Sequence, residues 1–155
     1  MAQFPIPTTP LNEKAVLNAV ANSPTGSTVV TSDSVPMVVK ALEKDKIPAA
    51  LDLLSIGSEH TVDVQEALGR RLYGIGLFTD NKDHDLVCVV TFYFAYSTWD
   101  GRILFVDQIG IRKDNDHERY TLMTTALRVL ADVAVDLECQ RLAWLVSAYL
   151  EVWVL

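Results

Sequence analysis

A chain of 155 residues, half of them hydrophobic, is long enough for one domain with its own core. With 20 acidic side chains against 13 Lys and Arg, its net charge is −7. That balance argues against binding a nucleic-acid backbone, which needs clustered cations, and suits either a cationic ligand such as a polyamine or a plain solvated surface. Cys88 and Cys139 make neither a disulfide framework nor a metal site, and read as thiols of a reducing compartment. No leader pattern and no bilayer-spanning stretch is read, so an intracellular, cytoplasmic protein without membrane attachment is expected.

In chain order, residues 1–34 are rich in Pro, Thr, Ser and Asn, and Pro5, Pro7 and Pro10 break early regular structure. A short helix over 11–20 carries Ala15, Val16, Ala19 and Val20 on its apolar side. The whole segment is expected as a mobile extension outside the domain, which then spans 35–155. Residues 37–40 read as the first strand. Asp45 is placed to cap a helix with Pro48 in its first turn and Ile47, Ala50, Leu51 and Leu54 as its stripe. A second helix is predicted over 62–72, a strand weakened by Gly74 and Gly76 over 73–78, and a charged turn over 79–85.

The stretch that organises the rest follows. Residues 86–96 are rich in β-branched and aromatic types, Asp100-Gly101 is a turn signal, and 102–112 form the returning strand. A polar loop at 113–116 leads into a long helix with Met123, Ala126, Leu127, Leu130, Val133, Ala134 and Leu137 at i, i+3, i+4 spacing. An apolar strand over 141–149 closes the block.

Three segments of this block carry a family resemblance. They are Phe92-Tyr93-Phe94-Ala95-Tyr96-Ser97-Thr98-Trp99-Asp100-Gly101, Leu104-Phe105-Val106-Asp107-Gln108-Ile109-Gly110-Ile111-Arg112 and Cys139-Gln140-Arg141-Leu142-Ala143-Trp144-Leu145-Val146. Their order and spacing resemble the GNAT superfamily of acetyl-CoA-dependent N-acetyltransferases, and within it the diamine (spermidine/spermine) and thialysine acetyltransferases. The resemblance implies an α/β (α+β) fold with a mixed sheet flanked by helices. It also implies that this chain lacks the family's last helix and final strands.

In that family the loop before the long helix follows Gln/Arg-x-x-Gly-x-Gly/Ala, and the helix N-terminus holds the pyrophosphate of coenzyme A through free N–H groups and the positive dipole end. Here the matching stretch is Asp116-His117-Glu118-Arg119-Tyr120-Thr121, preceded by Asp114 and without a glycine. Three carboxylates stand where the diphosphate would sit. Asn115 with Glu118 three residues on reads instead as a capping box, a helix end satisfied by its own side chains. The resemblance leaves Ile109, Ile111, Arg112 and Arg119 as cofactor-side candidates, with His117 as a further cation. No cofactor is expected, and acetyl-CoA if the chain is active.

The family's strand-end carboxylate matches Asp107, with Gln108 beside it. Alternation places Asp107 on the face of Ile103, Phe105, Ile109 and Ile111, a partly buried and satisfied acid rather than a general base. The run after the closing strand is Ala148-Tyr149-Leu150-Glu151. Tyr149 keeps the family's aromatic and is the substitute acid, or a packed Tyr. Without later elements, residues 141–155 form an exposed apolar edge presenting Leu142, Trp144, Val146, Val152, Trp153, Val154 and Leu155 as an interaction surface. The N-terminal extension, a second copy of the chain or another protein are the candidate covers. The family's diamine enzymes are dimers. Two functions stand against each other: a catalytically inactive acetyltransferase-like protein acting through protein contacts, as homodimer or partner of an active relative, and a working N-acetyltransferase on a polyamine or other small amine. A truncated product with little function of its own is a third.

Overall fold

A computed structural model describes residues 6–25, 29–30, 36–81, 83–112, 118–146 and 149–154, with side chains omitted for 29–30 and 145–154. Its frame is a seven-stranded sheet whose spatial order follows the chain order. The strands are β1 (Val29–Val30), β2 (Pro36–Ala41), β3 (Tyr73–Thr79), β4 (Leu86–Ser97), β5 (Gly101–Ile111), β6 (Arg141–Val146) and β7 (Tyr149–Val154). Neighbours run antiparallel except β5 and β6, which are parallel and joined by the crossover helix α4 (Arg119–Asp136). The mixed α+β architecture expected from the sequence is present.

The central strands form for the reason their sequences suggest. β3 and the first half of β4 are buried on both faces, which suits their near-continuous apolar runs. Gly74 and Gly76 lie inside the full length of β3. An added methyl would stand 2.8 Å from Leu42 at one and 2.7 Å from Leu86 at the other, so the glycines let those side chains close over the strand. The β4–β5 turn spans Thr98 to Asp100, with Gly101 at φ +86° and the Ser97 hydroxyl accepting from the N–H groups of Trp99 and Asp100, each at 3.1 Å.

One face of the sheet is covered by α1 (Glu13–Asn22) and α4. Leu122, Ala126, Val129, Leu130, Val133 and Ala134 of α4 are buried against Ile75, Val90, Phe92 and Leu104. Tyr73, Phe92 and Phe94 pack ring to ring at 5.5–5.9 Å in the same layer. The other face carries α2 (Ile47–Leu53) and α3 (Thr61–Ala67), where Ile47, Ala50 and Leu51 pack with Phe78, Leu86 and Val89.

Several expectations need correcting. Residues 6–25 are not an extension outside the domain. Val16, Ala19 and Val20 of α1 are buried in the main core, each valine worth about 1.5–3 kcal/mol on burial. Asn12 caps the helix through Ala15 N–H at 2.9 Å, and the hydroxyls of Ser23 and Thr25 donate to Asp132 on α4 at 2.7 and 2.9 Å. Before α1, Thr8 and Thr9 donate their backbone N–H groups to Glu138 at 2.6 and 2.7 Å, and Arg102 reaches both Thr9 O and Leu137 O. Asp45 lies inside a 3-10 turn, Lys44–Lys46, rather than capping α2. Helix α3 stops at Ala67, where Leu68 is already extended. The strand predicted over 141–149 breaks into β6 and β7, so β6 is an inner strand and one further strand follows it. No helix follows α4 among the described residues.

Candidate functional site

The chemistry-bearing residues collect where β5 changes character. Thr91 of β4 pairs with Gln108 and Phe92 pairs with Val106, so Asp107 is the extra residue of a β-bulge. The bulge reverses the alternation along β5. Leu104 and Val106 point into the core under α4, and beyond the bulge it is Ile109 and Ile111 that do so. The parallel ladder with β6 runs from Ile103↔Arg141 to Val106↔Trp144 and has no further pair among the described residues. Asp107 therefore sits at the point where β5 and β6 part.

This corrects the placement read from alternation. Asp107 does not share a face with Ile109 and Ile111, and it is exposed rather than partly buried. It is partnered nonetheless: the Thr91 hydroxyl donates to Asp107 Oδ2 at 3.2 Å. Beside them Tyr93 stacks on Phe105, ring centroids 5.2 Å apart and planes 19° off parallel. Burial raises the Tyr93 phenol above its ordinary pKa, and the negative charge of Asp107 raises it further. A protonated phenol, a hydroxyl and a carboxylate thus stand together on an aromatic floor. Such a group can accept an ammonium at the carboxylate and donate a proton from the phenol.

Neither Thr91 nor Tyr93 was singled out by the sequence. Tyr93 lies within the aromatic-rich run Phe92-Tyr93-Phe94, and only the register of β4 against β5 separates it from its two neighbours.

The second half of β5 is held from the far side by close backbone packing. A methyl on Gly110 would stand 2.7 Å from the Leu53 carbonyl oxygen, so only glycine lets the end of α2 rest on the strand there. The cofactor-side candidates Ile109 and Ile111 belong to the core rather than to an open cleft. Arg112 follows β5 with its N–H on Val87 O, and Arg119 opens α4 with an exposed side chain.

At the α4 N-terminus, residues 113–117 lie outside the described residues, and with them Asp114, Asn115, Asp116 and His117 of the expected loop. The Asn115 half of the expected capping box lies outside the described residues. Glu118 itself stands at the N-cap position and makes no side-chain cap hydrogen bond. It is nevertheless only 2 % exposed and is engaged within the protein. Glu118 is thus a buried acidic residue at the end of α4, the end that would face a diphosphate, and Tyr120 follows it, 81 % exposed.

The remaining candidates divide. Leu142 is not surface: β6 lies between β5 and β7, and Leu142 packs under α4. Trp144 is half-buried at the flank of α4. Tyr149 begins β7 opposite Val146. The side chains of Tyr149, Val146, Val152, Trp153 and Val154, and the whole of Leu155, lie outside the described residues. Cys88 and Cys139 are free, buried thiols, each pushed up to about 12 by burial. Among the described residues no group of three or more His, Cys, Asp or Glu could hold a metal ion, and no helix is long and apolar enough to cross a membrane.

No protein-family model and no curated protein matches the sequence. Solved structures do. A ribosomal-protein-alanine N-acetyltransferase from Brucella melitensis biovar Abortus 2308 superposes with a TM-score of 0.58 at 21% identity, over 72% of this chain and 81% of that one. The fold is that of the GNAT N-acetyltransferases. A glucosamine-6-phosphate N-acetyltransferase from Arabidopsis thaliana gives a TM-score of 0.60 at 12% identity, over 72% of this chain and 83% of that one. AAC(6′)-Iy, solved in complex with the bisubstrate analogue CoA-S-monomethyl-acetylneamine, gives 0.59 at 10%, over 72% and 80%. The GNAT scaffold is therefore present, with an acidic residue buried at the helix end where the sequence also lacks glycine.

Proposed function

We propose that this chain is a catalytically inactive acetyltransferase-fold protein that works through protein contacts, either as a homodimer or as the partner of an active relative. The observation that carries the reading is Glu118, buried at the N-terminus of α4 in a stretch without glycine. An acidic residue at that helix end disfavours a diphosphate through charge. Its buried free thiols and the absence, among the described residues, of a membrane-crossing helix suit a protein of the cell interior.

Thermal unfolding with and without acetyl-CoA at high micromolar concentration tests the reading. A ligand at ~100 times its dissociation constant adds about 2.7 kcal/mol of stability. No shift is expected; a clear upward shift would sink the proposal.

One observation favours a second reading, an acetyl-CoA-dependent N-acetyltransferase acting on a polyamine or another small amine. Asp107, Thr91 and Tyr93 converge where β5 and β6 part, and a carboxylate on an aromatic floor suits a cationic amine. Acetyl transfer to spermidine that Asp107→Asn abolishes would support it.

A further inference from the structure

Resting on the protein-contact reading, we infer that the outer flank of α4, together with Trp144, seats an amphipathic helix of a partner protein that brings a carboxylate to Arg128. Tyr120, Met123, Thr124, Leu127, Arg128 and Ala131 line an open groove of about 390 Å³ with Trp144 as its wall. Their spacing is i, i+3, i+4, i+7, i+8, i+11, a flank that shares Leu127 with the core stripe and leaves Met123 and Ala131 only partly buried beside it. The groove is about 17 Å long at 1.5 Å per residue, three helical turns, which matches a helix better than a compact small molecule. Exposed apolar side chains mark both ends of this flank, Tyr120 at 81 % and Val135 at 63 % exposure.

The sheet leaves room for such a helix. Seven strands at about 4.8 Å spacing span roughly 29 Å, close to three helix diameters of about 10 Å. On this face α1 lies over β2 and α4 over β3 to β6. The groove meets the sheet at Trp144 of β6.

Charge selects the occupant. Arg128 is exposed in the groove with no ion-pair partner among the described residues, in a chain with an excess of acids. Among the described residues the groove lining includes no carboxylate. Two copies laid groove to groove would bring arginine without an acid to answer it, so a second copy is the poorer match. A helix with apolar residues at i, i+3, i+4 and i+7 and an Asp or Glu among them satisfies both the apolar floor and the guanidinium.

The test selects peptides from a displayed library of randomised amphipathic helices against the full chain, and measures the resynthesised best binder by calorimetry. Expected are helical peptides that carry at least one acid. Ala131→Arg, which fills the groove, and Arg128→Glu should each weaken binding at least tenfold. Changing the peptide's acid to Lys should restore binding to Arg128→Glu alone. Circular dichroism confirms that both variants stay folded. Peptides without an acid, binding untouched by either variant, or no enriched peptide at all would overturn the assignment while leaving protein contacts elsewhere possible. A dimer that sedimentation detects and Ala131→Arg dissociates would overturn it in favour of a second copy. An acetyl-CoA thermal shift is a separate outcome, because it strikes the inactive reading and not the groove.

Discussion

The two halves of β5 differ in almost every respect that matters. From Ile103 to Val106 the strand is paired on both sides, with Leu104 and Val106 under α4. From Asp107 onward it keeps only β4 as a partner in the ladder, and its polar residues Asp107 and Gln108 are exposed. One inserted residue makes the difference. A strand with ladders on both edges has its backbone groups fully committed, whereas a strand that has parted from a neighbour can meet a ligand. The first half is scaffold, and the second is where this fold can do chemistry.

The comparison is sharpest in stability. Leu104→Ala removes a fully buried side chain from the scaffold half and should cost about 2–5 kcal/mol in urea unfolding. Arg102→Met, at the start of the same half, loses the guanidinium that ties Thr9 O at 3.1 Å and Leu137 O at 2.7 Å. About 1.5–3 kcal/mol is expected, with faster amide exchange through residues 8–25. In the open half Gly110→Ala is the exception that measures how closely α2 rests on the strand. The clash with the Leu53 carbonyl should cost about 1–3 kcal/mol, and a wild-type midpoint would show that the contact yields freely.

Asp107→Asn should change stability by no more than about 0.5 kcal/mol, being an exposed substitution. It should instead lower the Tyr93 pKa toward the ordinary phenol value, read as ultraviolet absorbance of the phenolate against pH, because one of the two causes of its elevation is gone. If Leu104→Ala and Asp107→Asn cost the same, the division of β5 fails.

The smallest effect lies at the N-terminal strap. Hydrogen bonds from Thr8 and Thr9 hold the Glu138 carboxyl below its ordinary pKa. A depressed native value means that the contribution is present above the ordinary carboxylate range and is lost as pH falls through the lowered value. Protection factors at Thr8 and Thr9, taken against the intrinsic exchange rate at each pH, should therefore fall on acidification, and Glu138→Gln should flatten that dependence.

Much of this molecule was legible in advance, and the reasons are local. The strand of β4 announces itself through β-branched and aromatic residues, its turn through Gly101, and α4 through apolar spacing that needs no knowledge of neighbours. The misreadings share a different cause. Pro5, Pro7 and Pro10 argued for a loose extension, yet Val16, Ala19 and Val20 dock on α4, because a short helix with one apolar stripe is stable only once something receives it. Alternation along β5 put Asp107 beside Ile109, since periodicity cannot see a bulge that is created by pairing with another strand.

What the amino-acid order determined by itself is therefore the set of elements and the hydrophobic stripe of each, properties of a few neighbouring residues. It also determined that residues 113–121 contain no glycine. Only the tertiary structure decided where β5 and β6 part, which residues meet at Asp107, that Glu118 is buried at the end of α4, and that the outer flank of α4 borders a groove. Those are relations between segments distant in the chain, and they come into being only when packing brings the segments together.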